Sequence, residues 1–363
     1  MAALPAGATV GIIGGGQLGR MLGMAAARLG YRIVVLEPQA DCPAAQVANR
    51  QIVAAYDDPE ALAELTHACA VVTYEFENVP VAAAETLAAG IAVLPPPAAL
   101  KVSQDRLAEK DFLTGLGLAT APYRAVDSCA GLAAGLAAFG GAGILKTRRL
   151  GYDGKGQARL SRDRPDAVEA AWAELGGVPV ILEGLVDFAA EVSVIAARGS
   201  DGGMAAYDAA LNVHRDGILR SSTVPAGLDP GLAERARAAA FAILEALDYV
   251  GVVGVELFVT RDGGLLVNEI APRVHNSGHW TEAACAVSQF EQHIRAVCGL
   301  PLGDTARHCD CVMENLIGAE VERAAGLLGE PGVVVNVYGK AEARPGRKMG
   351  HFTRLAPRRG LPA

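Results

Sequence analysis

Short runs of aliphatic and β-branched residues alternate with longer amphipathic segments over the first hundred residues. The apolar runs predict strands at residues 10–13, 31–36, 52–54, 71–73 and 91–94. The segment from the first strand to Leu29 has the pattern of a helix, and a strand–helix–strand order is typical of a parallel α/β unit. Three consecutive prolines at 95–97 then predict the end of this first unit.

The rest of the chain predicts further helices and a larger share of strands. A helix is expected from Ser103 to Leu116, and two more over 230–247 and about 281–298. Short strands are predicted at 144–147, 180–183 and 191–196, followed towards the end of the chain by a β-rich tail. The pattern therefore predicts an α/β protein with a smaller second unit that begins at Pro122.

Residues 251–271 have the pattern of an antiparallel hairpin around a turn at 261–264. If Thr260 faces Leu265, then Glu256 lies directly opposite Glu269. Two carboxylates in such a pair repel each other, so a buried pair requires a cation such as Mg²⁺ between them. A solvated face with nearby lysine or arginine is the alternative. The polar residues that follow favour a ligand site over that alternative: Arg273, His275, Asn276, Ser277 and His279.

The glycine turn Gly14–Gly19 is a second candidate site, because it has the G-x-G-x-x-G spacing and Glu37 follows at the usual distance. This is the dinucleotide fingerprint, and it suggests an NAD-linked oxidoreductase. A glycine turn at a helix N-terminus also suits any other phosphate. Glu75 and Glu77 follow a predicted strand, where α/β sheets bind ligands, although acids are also common in the first turn of a helix.

A third candidate is the segment Gly151–Gln157, which has three glycines in seven residues and follows a strand that ends at Lys146–Thr147. Its backbone amides could fold over phosphates, with Lys155 adding positive charge. It is not a Walker A motif, and an ordinary hairpin turn remains the alternative. His214 is either a ligand or a histidine satisfied by local hydrogen bonds.

Composition limits the class of protein. The chain has 363 residues and a net charge of −8, and its first cation is Arg20. An acidic chain does not provide the basic surface that nucleic acid requires. We expect no signal peptide, because no basic residue precedes Arg20. We also expect no membrane span, because the uncharged stretch 128–145 is rich in glycine. Seven scattered cysteines fit a reducing cytoplasm.

Together these motifs resemble the ATP-grasp ligases, and among them the group that carboxylates 5-aminoimidazole ribonucleotide in purine biosynthesis. The resemblance covers nearly the whole chain. It is carried by GGGQLGRM (14–21), YEFENV (74–79), QDR (104–106), GYDGKGQ (151–157), EVSVI (191–195), NEIAPRVHNSGHWT (268–281) and GRKMGH (346–351).

The resemblance implies an ATP-grasp fold with a parallel α/β domain (1–102), a linker helix with a small lid domain (103–187) and a C-terminal mixed-sheet domain (188–363). ATP would lie between the last two. The implied reaction consumes ATP and bicarbonate, forms carboxyphosphate, and transfers its carboxyl group to the amine of aminoimidazole ribonucleotide. One or two Mg²⁺ ions, a homodimer and a cytoplasmic location are also implied.

The resemblance assigns roles to individual residues. Those implied to hold ATP are Arg106, Lys146, Gly151, Tyr152, Asp153, Gly154, Lys155, Gly156, Gln157, Glu183, Gly184, Leu185, Val186, Glu191, His214, Asn268 and Glu269. Those implied to bind the aminoimidazole nucleotide are Gln17, Leu18, Glu75, Lys340, Arg347 and Lys348. The implied catalytic residues are Tyr152, Asp153, Lys155, Arg273, His275 and Asn276, and the metal ligands are Glu256 and Glu269.

Asn268 does not fit this assignment on a regular strand. Strict alternation points it away from Glu269, so the hairpin needs a bulge or a ligand on its other face. The general base for the amine is not identified from sequence. A formate-using purine ligase and an NAD-linked oxidoreductase remain as alternatives, although the latter leaves the acid pair unexplained.

Overall fold

The computed structural model describes residues 2–151 and 156–358, and their strands form three sheets. The first sheet is parallel, as predicted, and its strand order is β3-β2-β1-β4. Its elements are β1 (Thr9–Ile13), α1 (Gln17–Arg28), β2 (Arg32–Leu36), β3 (Arg50–Ile52), α2 (Pro59–Ala68), β4 (Val71–Tyr74) and α3 (Val81–Ala88). The predicted strand at 91–94 is reduced to a single bridge between Val72 and Val93.

Two helices, not one, join this sheet to the rest of the chain. They are α4 (Pro97–Ser103) and α5 (Arg106–Gly115). The predicted start of a helix at Ser103 was wrong because Asp105 adopts an extended conformation and caps α5, with its carboxylate accepting from the amides of Leu107 and Ala108.

The second sheet is small and antiparallel, with strand order β5-β8-β6-β7 and two helices. Its elements are β5 (Tyr123–Val126), α6 (Cys129–Ala138), β6 (Ala142–Thr147), β7 (Gln157–Ser161), α7 (Pro165–Leu175) and β8 (Val180–Gly184). A separate apolar cluster that includes Leu132, Leu145 and Leu182 fills the space between sheet and helices. We refer to this unit as the lid.

The third sheet has nine strands in the order β14-β13-β9-β11-β12-β15-β17-β16, with β10 paired to β9. Its elements are β9 (Phe188–Arg198), β10 (Met204–Ala206), β11 (Ala210–Arg215), β12 (Ile218–Val224), α8 (Pro230–Ala246), β13 (Gly251–Thr260), β14 (Leu265–Ala271), α9 (Thr281–Ala284), α10 (Gln289–Val297), β15 (Asp310–Ile317), α11 (Ala324–Leu327), β16 (Val333–Val337) and β17 (Lys348–Ala356). The predicted helix at 281–298 is interrupted, because Ser288 caps a new helix through the amide of Glu291.

Helix α8 packs on β9 and β13 with an apolar face that includes Ala236, Ala240 and Ile243. On the other side, α10 lies between α1 and β13. Its His293 is fully buried and joins two sheets, since Nε2 lies 2.7 Å from the hydroxyl of Thr73 and Nδ1 accepts from the amide of Val252 at 3.1 Å. The parallel sheet is thereby fixed against the strand that carries Glu256.

Across the described part of the chain, no helix is both long enough and apolar enough to cross a bilayer.

Candidate active site

A cavity of about 490 Å³ lies where the three sheets meet. Residues from all three units line it, so none of them forms it alone. The predicted site residues that line it are Gln17, Leu18, Arg106, Lys146, Gly151, Gln157, Glu191, His214, Glu256, Asn268, Glu269, Arg273, His275, Asn276 and Lys348.

Glu256 lies opposite Glu269, as predicted, although the hairpin around the pair differs from the prediction. Leu265 pairs with Val259 and not with Thr260, so the connection is one residue longer than expected. That offset alone would have placed Glu256 opposite a different residue.

A bulge at Asn268 compensates for the offset. The ladder passes from the pair Leu257–Val267 directly to the pair Glu256–Glu269, which leaves Asn268 without an opposite residue. Because an extra residue changes the side on which the following side chains point, Asn268 and Glu269 both line the cavity. The conflict between Asn268 and strict alternation is therefore resolved by the bulge.

The acid pair carries charge that the protein only partly balances. Burial, and secondly the neighbouring Glu269, raise the pKa of Glu256 above its usual value. His275 lies 3.7 Å from Glu256, but burial lowers its pKa to about 3, so it is neutral at pH 7. The guanidinium of Arg106 lies 3.4 Å from Glu269.

Two facing carboxylates beside an amide oxygen are a donor set that fits a hard divalent cation. Over residues 2–151 and 156–358, no three His, Cys, Asp or Glu side chains come together as an ion site. The described chain thus offers too few ligands for a closed metal cage. It suits Mg²⁺, which proteins commonly hold through one or two carboxylates together with substrate phosphates and water.

The phosphate-side cations predicted from sequence face this pair. Lys146 on β6 lies 2.7 Å from the buried carboxylate of Glu183, and Arg106 donates to the carbonyl of Gly151 at 2.9 Å. Arg148, in the loop that follows β6, donates to the carboxylate of Asp105, the residue that caps α5. The N-terminus of α5 is therefore attached to the base of the glycine-rich segment.

Nδ1 of His214 lies 2.7 Å from the carboxylate of Glu191 at the cavity wall. Burial alone lowers the pKa of His214, but the contact with Glu191 raises it above its usual value. Phe258 lies two residues from Glu256 on the same strand, lines the cavity and stacks on Phe188 with ring centres 4.7 Å apart. This end of the cavity therefore combines an acid with an aromatic surface.

The glycine turn at the start of α1 does not have free amides at its centre. The amide of Gly15 donates to Glu37 at 2.9 Å, and those of Gly16 and Gly19 donate to Glu75 at 2.8 and 3.3 Å. A Cβ on Gly14 would lie only 2.8 Å from Glu75. The protein's own carboxylates thus occupy the positions that a dinucleotide pyrophosphate would need, and Glu37 is engaged by Gly15 and Tyr56.

The polar segment after β14 is held in place by buried contacts. Arg273 lies 2.5 Å from Glu77, and the side chain of Asn276 bonds to that of Asn315. His275 has its backbone held by Gln289 and its ring by Ser277, at 2.9 Å in each case. These contacts fix the segment against the cavity wall.

Several predicted residues do not line the cavity. Glu75 lies behind the glycine turn, Lys340 donates to the carbonyl of Lys348 at 2.7 Å, and Arg347 donates to that of Glu342 at 3.1 Å. The others outside the cavity lining are Gly156, Glu183, Gly184, Leu185 and Val186. Tyr152, Asp153, Gly154 and Lys155 lie outside the described residues. Roles for all of these remain predictions.

Sequence reasoning missed some cavity residues, among them Asn78, Gln104, Arg148 and Phe258. Phe258 could have been found by strand alternation, because it is two residues from Glu256. Arg148 is likewise two residues after Lys146. Gln104 offered no such signal, since its side chain reaches the site through contacts with the backbone of Glu77 and Val79.

The domain families agree with this architecture. Residues 7–104 match the ribonucleotide synthetase preATP-grasp domain, 111–290 the ATP-grasp domain and 311–360 the phosphoribosylaminoimidazole carboxylase C-terminal domain. The fold and the acid pair thus define an ATP-grasp enzyme.

Individual relatives narrow the class. N5-carboxyaminoimidazole ribonucleotide synthase of Brucella melitensis is 65% identical over 98% of both chains. The structure of the Thermus thermophilus synthetase has a TM-score of 0.89 at 46% identity and covers 96% of this chain and 93% of its own. The Aspergillus clavatus synthase, in complex with ADP and 5-aminoimidazole ribonucleotide, has a TM-score of 0.91 at 32% identity, covering 97% and 95%. The chain belongs to the N5-carboxyaminoimidazole ribonucleotide synthase family.

Proposed function

We propose that this protein carboxylates 5-aminoimidazole ribonucleotide with bicarbonate, at the expense of ATP, to give 5-carboxyaminoimidazole ribonucleotide, ADP and phosphate. The observation that carries the proposal is the pair Glu256–Glu269, which faces a cavity lined by Arg106 and Lys146. This arrangement suits phosphoryl transfer, where catalysis is mostly positioning and charge neutralisation. A relative that is 65% identical to this chain is named N5-carboxyaminoimidazole ribonucleotide synthase, which also supports the proposal.

The two carboxylates would hold Mg²⁺ against the triphosphate, with Asn268 beside them. When bound, Mg²⁺ would neutralise charge on the transferred phosphoryl group. Arg106 and Lys146 would offset the remaining negative charge from the lid side. Glu191, with His214 beside it, would accept hydrogen bonds from the ribose hydroxyls of ATP, and Phe258 would supply apolar surface nearby.

Bicarbonate attack on the γ-phosphorus would yield carboxyphosphate and ADP. The amine of the second substrate would then take the carboxyl group, and phosphate would leave. Arg273, His275 and Asn276 line the cavity and are fixed by buried contacts, so we place this second step beside them. His275 is neutral at pH 7, since burial lowers its pKa to about 3, and its imidazole would donate or accept a hydrogen bond without adding charge.

The nucleotide phosphate would bind where α1 begins. Gln17 and Leu18 line the cavity, and their amides have no hydrogen-bond partner among the described residues. Lys348 lines the cavity as well. Lys340 and Arg347 lie near it in sequence, and their part in binding the phosphate remains a proposal.

The test is ADP release from ATP and Mg²⁺, measured with each substrate omitted in turn. Full release should require both bicarbonate and aminoimidazole ribonucleotide, and the product should carry label from ¹⁴C-bicarbonate. Formate in place of bicarbonate should give no product. Activity with formate, or tight binding of NADH, would contradict the proposal.

A homodimer in the cytoplasm completes the proposal. Both features rest on the family resemblance. Light scattering of the purified chain tests the first, and cell fractionation tests the second.

A further inference from the structure

Helix α5 directs three charged side chains at strand β14. Glu109 and Lys110 follow Arg106 by three and four residues, about one turn, so all three lie on the same side of the helix. Arg106 contacts the carboxylate of Glu269, whereas the other two contact the backbone of β14. Glu109 is 3% exposed and Lys110 is 1% exposed. Burial of two ionisable side chains is costly unless their polar atoms have well-placed partners, so these contacts require an explanation.

The partners of this pair flank Glu269. Lys110 donates from Nζ to the carbonyl of Asn268 at 2.7 Å, and the amide of Ile270 donates to the carboxylate of Glu109 at 2.6 Å. Asn268 is the bulge residue, and β14 is the outermost strand of its sheet. Edge strands leave backbone groups unpaired, and a bulge disrupts the ladder further. Here the helix supplies the missing partners.

We propose that Glu109 and Lys110 are positioning residues that hold the Asn268 bulge and thereby orient Glu269 towards the metal. The proposal deepens the function proposed above and rests on Glu256 and Glu269 as the Mg²⁺ ligands. Without the contacts from Glu109 and Lys110, β14 could pair with β13 in a competing regular register. That register removes the bulge and turns Glu269 to the other face of the strand.

Lys110→Met is the informative variant, because it retains an unbranched side chain and removes the ammonium group. Two quantities are measured: the dissociation constant of Mn²⁺ in the presence of ADP, by electron paramagnetic resonance, and the Mg²⁺ dependence of ADP release. Both constants should rise at least about tenfold, while the rate at saturating Mg²⁺ should fall much less. Lys110→Arg keeps a donor and should recover most of the affinity. Lys101→Met, on the exposed side of α4, is the matched control.

Glu109 provides a second, independent variant if Lys110→Met does not fold. Glu109→Gln retains an acceptor for Ile270 and should keep Mn²⁺ affinity close to that of the wild type, whereas Glu109→Met should weaken it about tenfold. A lower melting temperature with unchanged Mn²⁺ and Mg²⁺ constants would show a purely structural role and overturn the proposal. Because Mn²⁺ binding is read without turnover, it remains interpretable even if the wild type fails to carboxylate the nucleotide.

Discussion

The glycine turn and the acid hairpin both combine carboxylates with a ligand-like sequence pattern, yet they differ in how those carboxylates are satisfied. At the turn, Glu37 and Glu75 accept hydrogen bonds from the amides of the turn itself. At the hairpin, Glu256 and Glu269 face each other across a ladder and line the cavity. The carboxylates of the first region are satisfied by the protein's own amides, whereas those of the second fit a cation, as proposed above. Unbalanced charge on the carboxylates therefore distinguishes the proposed metal site from carboxylates that stabilise a turn.

The largest effect is expected at the hairpin. Glu269→Gln should reduce ADP formation to less than about a tenth, because a neutral amide cannot balance Mg²⁺ beside Glu256, and a lost metal role is worth several kcal/mol. The melting temperature of the metal-free protein should stay the same or rise, since a repulsive pair is removed. The measurements are an ADP-release assay and thermal denaturation, with exposed Glu245→Gln as control. Substantial retained activity would remove Glu269 from the metal site.

A smaller and selective effect is expected for the nucleotide phosphate. A hydrogen bond to a charged group contributes about 1.5–3 kcal/mol, so Arg347→Ala should raise the KM for aminoimidazole ribonucleotide by roughly 10- to 150-fold. The KM for ATP should hardly change. Arg344→Ala, in the same loop and paired only with Glu342 among its described contacts, is the control. If both KM values rise together, or neither does, Arg347 does not bind this phosphate.

At the glycine turn, loss of a carboxylate should lower the stability of the protein, whereas Glu269→Gln should leave it the same or raise it. Glu75→Ala removes the acceptor of two amides, so the free energy of unfolding should fall by about 1.5–3 kcal/mol. Urea denaturation measures this loss, and exposed Glu85→Ala should change it by less than about 0.5 kcal/mol. A Glu75→Ala protein as stable as the wild type would mean that the turn does not depend on its carboxylate.

At pH 7 the smallest effect is expected for His293, whose ring joins the parallel sheet to the strand that carries Glu256. Burial lowers its pKa to about 3, below the value of about 6.5 in an unfolded chain. Between about pH 6.5 and 3, His293 is therefore protonated in the unfolded chain and neutral in the folded protein. The free energy of unfolding consequently falls as pH falls from about 6.5 towards 3. The loss approaches about 1.4 kcal/mol per pH unit. His293→Gln should make the pH dependence of the unfolding free energy shallower by that amount, relative to the exposed control His67→Gln. An unchanged slope would show that His293 takes up a proton as readily in the folded protein as in the unfolded chain.

The sequence predicted the parallel sheet, the antiparallel hairpin and the Glu256–Glu269 pair, because apolar periodicity and turn residues are local signals. The pair was correct through two errors that cancel, a longer turn and a bulge at Asn268. The longer turn was not visible in the pattern, and the bulge was one of two alternatives that Asn268 left open, because the α5 residues that contact it lie some 160 residues earlier in the chain.

The same limit applies elsewhere in the site. The glycine spacing indicated a phosphate site at the turn, but the spacing does not reveal that Glu75, distant in sequence, occupies the amides of Gly16 and Gly19 and leaves those of Gln17 and Leu18. The single helix predicted from Ser103 is divided at Asp105, which is extended, caps α5 and is also bound by Arg148 of the lid. In each case a long-range partner decided between alternatives that local sequence left open.

Strand β17 has a consequence for how this protein is made. It lies between β15 and β16, and its first residue, Lys348, lines the cavity. A chain emerging from the ribosome therefore leaves one edge of β15 and both edges of β16 unpaired, and lacks Lys348 at the cavity, until β17 has been synthesised. A chain truncated before this strand would keep those edges open, and open strand edges promote association between chains.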